Sequence, residues 1–97
     1  MHFKITEPAE IELQDAYEYY ETQSERLGEK FINSFRSGID RILCLPEAWS
    51  PIRYNVRKCV LDRFPYSIIY ALEDEMIIIL AIAHHHRMPE YWIDRLN

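Results

Sequence analysis

The chain has 97 residues, with 16 acidic and 11 basic side chains and a formal net charge of −5. That length predicts one compact domain over residues 1–97, able to bury about 65% of its unfolded surface around one core. A content of 48% hydrophobic and 13% aromatic residues excludes disorder, the lack of any long uncharged apolar run excludes a transmembrane helix, and the acidic balance argues against a general polyanion binder.

Residues 1–12 hold no apolar signal region, so a cytoplasmic location is expected. Residues 2–5 read as a short strand with Phe3 and Ile5 on one face. Thr6 is a candidate N-cap and Pro8 suits a first helical turn. Ala9, Leu13, Ala16, Tyr17 and Tyr20 then recur at helical spacing and form one face of a helix. The other face is assigned Glu10, Glu12, Asp15, Glu18, Glu21 and Glu25, and from Glu7 to Glu25 there are seven acids and no base. Gly28 is read as the positive-φ residue of a tight connection. A second helix is expected from about residue 29 to 45, with Phe31, Ile32, Phe35, Ile39, Ile42 and Leu43 as its apolar stripe and Pro46 ending it. So short a connection predicts an antiparallel helical hairpin.

Residues 47–51 read as a loop, after which β-formers dominate. Strands are expected at 57–61, 66–72 and 76–83, with a turn at Glu73-Asp74-Glu75. The last strand, MIIILAIA, is apolar on both alternating sets, which predicts a central strand or one covered on both faces. Pro89 begins a short helical turn or irregular tail holding Tyr91 and Trp92, which should anchor that tail. The order β-α-α-β-β-β predicts an α+β fold, with the hairpin on one face of a mainly antiparallel sheet. Cys44 and Cys59 lack metal-type spacing and read as two reduced, buried thiols.

Charge is uneven. The first 50 residues carry ten acids and five bases, whereas Arg53, Arg57, Lys58 and Arg63 face only Asp62 in the strand region. His84-His85-His86-Arg87 leaves the core at a strand end, where sites often sit. If the strand continues, His84 and His86 share a face and His85 points away. No third ligand stands at an obvious spacing, so no metal site is assigned. Metal-free RNA cleavage needs a base, cations and an acid, and the three histidines, Lys58, Arg63, Arg87 and Tyr91 are compatible with those roles without being specific to them. Phosphate-loop, dinucleotide, nucleophile-elbow and zincin motifs are absent, and no cofactor is expected. Arg87 and Arg95 are expected to bond backbone carbonyls or the acids Glu90 and Asp94.

Two ordered motifs carry a family likeness. Arg63-Phe64-Pro65-Tyr66-x-Ile68-x-Tyr70 and His84-x-x-Arg87-x-Pro89-x-Tyr91-Trp92-x-x-Arg95 follow the Tyr19-Tyr20-Glu21 step, the Leu27-Gly28 junction, and Arg57 and Leu61 in order. With these the chain resembles the RelE/ParE superfamily of toxins of type II toxin–antitoxin systems, in the plasmid-stabilisation group, over nearly its whole length. The resemblance implies growth inhibition and a cognate antitoxin as partner, with a dimer or a toxin–antitoxin hetero-oligomer left open. It also implies one of two cellular targets. ParE-like members inhibit DNA gyrase; RelE-like members cleave mRNA on the ribosome. If the chain is a nuclease, His85, Arg63, Lys58, Arg87 and Tyr91 are the catalytic candidates. Arg57, Phe64, Tyr66, His84, Trp92 and Arg95 are the partner-binding candidates. Val60, Ser67 and His85 stand where the nuclease pattern tends to place cations, which favours the ParE-like reading, while whether the chain is an enzyme stays open. A degenerate, non-toxic antitoxin-binding module is the third reading.

Overall fold

The computed structural model describes residues 2–96. Strand β1 (His2–Ile5) leads into helix α1 (Glu7–Gln23), helix α2 (Leu27–Cys44), and strands β2 (Pro51–Arg53), β3 (Val56–Val60), β4 (Tyr66–Glu73) and β5 (Met76–His84), followed by a short 3-10 turn (Ile93–Arg95). The sheet order is β1-β5-β4-β3-β2, with β1 parallel to β5 and the other neighbours antiparallel. The expected α+β architecture is therefore present, with one extra edge strand. β2 is only three exposed residues long, and so short a segment after a proline-flanked loop carries too little period-2 pattern to be read.

Thr6 ends β1 and starts α1 in one step. Its amide donates to the Ile79 carbonyl at 3.0 Å, while its hydroxyl accepts from the Ala9 amide at 3.4 Å and donates to the Leu80 carbonyl at 3.3 Å. Glu7 and Glu10 place negative charge in the first turn, where the helix dipole favours it. Buried Ala9 and Ala16 keep the inner face of α1 slim against the sheet.

The connection between the helices uses Arg26, at φ 67°, as its left-handed residue. Gly28 instead lies buried inside α2, contrary to the expected turn role. A Cβ there would sit 2.6 Å from Glu21 Cγ and 2.7 Å from the Tyr17 carbonyl oxygen, so its lack of a side chain lets the two helices approach. Its free amide donates to Glu21 Oε1 at 2.8 Å, which caps the start of α2 from the neighbouring helix. From there Phe31, Phe35, Ile39 and Ile42 run down the buried stripe of α2 as the periodicity requires. At Gly38 a Cβ would meet Ile68 Cδ1 at 2.8 Å, so this glycine sets how closely α2 lies on the sheet.

The sheet is covered on both sides. Cys59, Leu61, Ile68, Tyr70, Ile77, Ile79 and Ile82 pack under the helices. Val56, Ile69, Ala71, Leu80 and Ala81 pack on the other side against Trp92, with Tyr91, Ile93 and Leu96 around it. The doubly apolar β5 is thus central and covered twice, the second time by the C-terminal segment, which Tyr91 and Trp92 anchor. Tyr70 is buried and donates its hydroxyl to the Pro46 carbonyl at 2.6 Å; burial, more than any charge, pushes its pKa up to about 12. Of the two thiols only Cys59 is buried; Cys44, in the last turn of α2, is exposed, which corrects the expectation for it.

Strict alternation breaks in β5. Ile69 pairs with Ala81 and Tyr70 with Ile79, leaving Leu80 as an extra residue opposite none. Such a bulge reverses which side chains face which side beyond it. Ile77 and Ile79 face the helices before the bulge, and Ile82 does so after it. The same reversal sends His84 toward the helix side and His85 to the C-terminal side.

Candidate functional site

Three adjacent strands place polar groups on the face that the C-terminal segment covers. Lys58 on β3 pairs with Ile69, and Ser67 on β4 pairs with Ala83, two residues before His85. The His85 amide donates to the Pro65 carbonyl at 2.9 Å, which extends the β4–β5 ladder by one step. That brings His85 Nε2 to 3.1 Å from Ser67 Oγ. Ser67 is 2% exposed, a buried hydroxyl in an otherwise apolar stretch of strand. Lys58, His84, His85, Arg87, Tyr91 and Trp92 join it around an open cleft of about 340 Å³, with Ile52, Ile69 and Met88 among its apolar walls.

Lys58, His85, Arg87 and Tyr91 therefore come together, whereas Arg63 does not. Arg63 takes φ 70° in the β3–β4 turn and lines a separate depression with Lys30, Ser34, Asp62 and Phe64. Tyr91 contributes its ring more than its hydroxyl. The Arg87 guanidinium lies 3.9 Å from the ring centroid. The hydroxyl donates to Glu12 Oε2 at 2.8 Å, and burial followed by this bond raises its pKa far above the ordinary tyrosine value. A phenol so held is a poor proton donor or acceptor at neutral pH.

Glu12, expected on the outer face of α1, lies inward instead. It sits between Ala9 and Ala16 on the inner face and reaches around the sheet edge. β1 stops at Ile5, so β5 is unpaired on that side beyond Ile79. Glu12 Oε1 fills the gap by accepting from the Ile82 amide at 3.0 Å. Arg95 holds the carboxylate through Nη1 at 2.9 Å and Nη2 at 3.1 Å, and Nη1 also donates to the Leu80 carbonyl at 2.9 Å. This bidentate clamp ties α1, the bulge and the C-terminal segment together. The signal was present as Ala9, Glu12, Leu13 and Ala16, an i, i+3, i+4, i+7 set containing one acid.

The other proposed partner contacts are divided among different surroundings. Arg95 bonds Glu12 rather than Asp94, and Glu90 is taken by Arg53 at 2.7 Å rather than by Arg87. Arg57 donates to the Trp49 carbonyl and, at 3.4 Å, to that of Glu47, fastening the loop before β2. Phe64 and Tyr66 meet Phe31 edge-on at 5.3 and 5.2 Å, and Tyr20 meets Phe64 at 4.9 Å. Trp92 is 3% exposed, so its ring belongs to the interior. His84 stacks edge-on against Tyr66 at 5.0 Å and against His86 at 4.9 Å, and its Nδ1 accepts from the His86 amide at 3.0 Å. Burial, and then the two neighbouring imidazoles, lower its pKa below the ordinary histidine value. Among the described residues no group of three or more His, Cys, Asp or Glu side chains stands where it would hold a metal ion. Among the same residues no helix is long and apolar enough to cross a membrane.

A further depression lies between α1 and the open edge of β5. Asp15, Tyr19, Tyr66, Ile82 and His84 are among its lining residues, with Arg87 as its one cation beside the acids Glu12 and Asp15. Tyr19 is 56% exposed, and Ile11, two turns earlier on α1, is 55% exposed.

Comparison with known proteins agrees with this architecture. A solved structure of the chromosomal ParDE TA system from P. aeruginosa superposes with a TM-score of 0.63 at 22% sequence identity, covering 87% of this chain and 95% of that one. No curated protein matches the chain closely enough to add to the comparison. The family model described as the ParE toxin of the type II toxin–antitoxin system parDE matches residues 3–89. With nine-tenths of its length matched from β1 through the cleft-lining Pro89, the chain belongs to the ParE toxin family of type II toxin–antitoxin systems.

Proposed function

We propose that this protein arrests growth from the cytoplasm by binding a protein target such as DNA gyrase, and that a cognate antitoxin neutralises it in a toxin–antitoxin hetero-oligomer. The family match over residues 3–89 carries the reading. The depression between α1 and β5 supports an antitoxin segment there. It offers exposed Tyr19 beside Ile82 and His84, and it borders helix α1, which carries six acids and no base. An antitoxin helix or strand with apolar anchors and flanking Lys or Arg is the complementary partner.

The engagement of the Tyr91 hydroxyl by Glu12 and the placement of Arg63 in another depression favour a binding toxin over a nuclease. Ribosome-dependent mRNA cleavage is the second reading, and the convergence of Lys58, His85 and Arg87 in one cleft is what favours it. Induced expression without the antitoxin should stop growth. Purified protein should then inhibit gyrase supercoiling, while primer extension on translated mRNA should show no new cuts. Unaffected supercoiling at saturating protein, together with cuts abolished by His85→Ala, would replace the first reading by the second. Harmless expression of folded protein would leave only the antitoxin-binding role.

A further inference from the structure

We propose that the cleft around Ser67 and His85 binds a single phosphate-class anion, as free phosphate or as a small phosphate ester. A hydroxyl 2% exposed in a central strand needs a hydrogen-bond partner, and Ser67 has His85 Nε2 at 3.1 Å. The direction of that bond decides what the cleft offers. When Nε2 carries a proton, it donates to Ser67 Oγ, and the serine's own proton is released to donate elsewhere. The Ser67 hydroxyl then joins Lys58 and Arg87 as a donor toward a negatively charged group.

Charge in the cleft is uncompensated. Among the described residues neither Lys58 nor Arg87 has a carboxylate partner. The one acid lining the cleft, Glu90, is already held by Arg53 at 2.7 Å. Ile52, Ile69 and Met88 form an apolar wall beside the cations, room for the organic part of an ester. A polymer is disfavoured, because a nucleic-acid track needs a row of free cations. Beyond Lys58 and Arg87 the basic side chains are occupied or elsewhere: Arg53 on Glu90, Arg95 on Glu12, Arg63 in its own depression. The anion site rests on the binding-toxin reading, because the ribonuclease reading gives the same cleft to mRNA. A negative gyrase result without new mRNA cuts leaves the anion site standing, whereas cuts abolished by His85→Ala would overturn it.

Titration of the isotope-labelled full chain with inorganic phosphate, with adenosine 5′-monophosphate and with a single-stranded RNA octamer, read by amide and imidazole NMR shifts, tests the site. The expected result is saturable shifts centred on Ser67 and His85 for phosphate and the monophosphate. Arg87→Ala or Lys58→Glu, with the folded amide dispersion retained, should weaken binding by about tenfold, the effect of one charge-assisted hydrogen bond. Lys30→Ala, in the other depression, should change nothing. Non-saturating shifts scattered over all lysines and arginines would overturn the proposal. So would binding indifferent to Arg87 and Lys58. Octamer binding with a log–log salt slope steeper than about −3, without binding of the monophosphate, would replace it by a nucleic-acid track.

Discussion

The two faces of the sheet are closed by different physics. Under the helices, Phe31, Ile42, Ile68 and Ile79 interlock in a wide apolar layer whose closeness is set by Gly38. On the opposite face a short C-terminal segment covers only the centre, through Trp92, and is moored by the Glu12–Arg95–Tyr91 clamp reaching around the edge. A broad apolar layer tolerates the loss of any one polar bond, whereas a narrow strap depends on a few directional ones. The thinly covered face is also the one left with a cleft, since its cover leaves Ser67 and His85 beside open space. The α1 side of the helix layer keeps its own unfilled depression at the β5 edge.

Substitutions should separate the two faces. Phe31→Ala, which removes a fully buried ring from the helix side, should cost about 3–5 kcal/mol in denaturant unfolding. Glu12→Ala should cost about 2–4 kcal/mol, because it leaves Arg95, the Tyr91 hydroxyl and the Ile82 amide without their acceptor at a largely buried position. Its amide-exchange signature should be local, with faster exchange in β5 beyond the bulge and in residues 91–96, whereas Phe31→Ala should loosen the whole domain. If both variants exchange alike, the faces are not separately held. Tyr91→Phe, which removes one of the bonds to Glu12 and keeps the ring under Arg87, should cost about 1 kcal/mol by thermal or denaturant melting. It should also leave growth arrest unchanged if Tyr91 has no chemical role.

The smallest effect is a pH dependence at the junction of the faces. The folded state lowers the His84 pKa, so it favours the neutral ring, which accepts from the His86 amide. The unfolded chain then takes up a proton first as pH falls through 6.5, and stability present above that value is lost below it. Imidazole NMR titration should place His84 below the ordinary histidine value, and His84→Gln should flatten the acid limb of the stability profile. A His84 midpoint at or above the ordinary value would remove the effect.

Much of this was legible because burial imposes periodicity. The stripe of α2 from Phe31 to Ile42, the N-cap at Thr6 and the doubly apolar β5 are local patterns that report directly which faces are covered. The chemistry of metal-free RNA cleavage, with the family resemblance, also made Lys58, His85, Arg87 and Tyr91 candidates in the sequence, and these share one cleft. Arg63, on the same reading, does not join them, because a left-handed turn carries it elsewhere. Gly28 was legible as special but not for its reason, since close approach to another helix leaves no local signature.

Residue spacing and local backbone preference were enough for β1, the two helices, strands β3 to β5 and the main apolar faces, though not for the short edge strand β2, and the ordered motifs were enough for the family likeness. The bulge at Leu80, the inward role of Glu12 and the meeting of Ser67 with His85 arise only when distant segments pack together. The physical reason is register. One extra residue in β5 reverses every side chain beyond it, and whether that residue is accommodated depends on Thr6 and Arg95, 74 and 15 positions away, both bonding the Leu80 carbonyl.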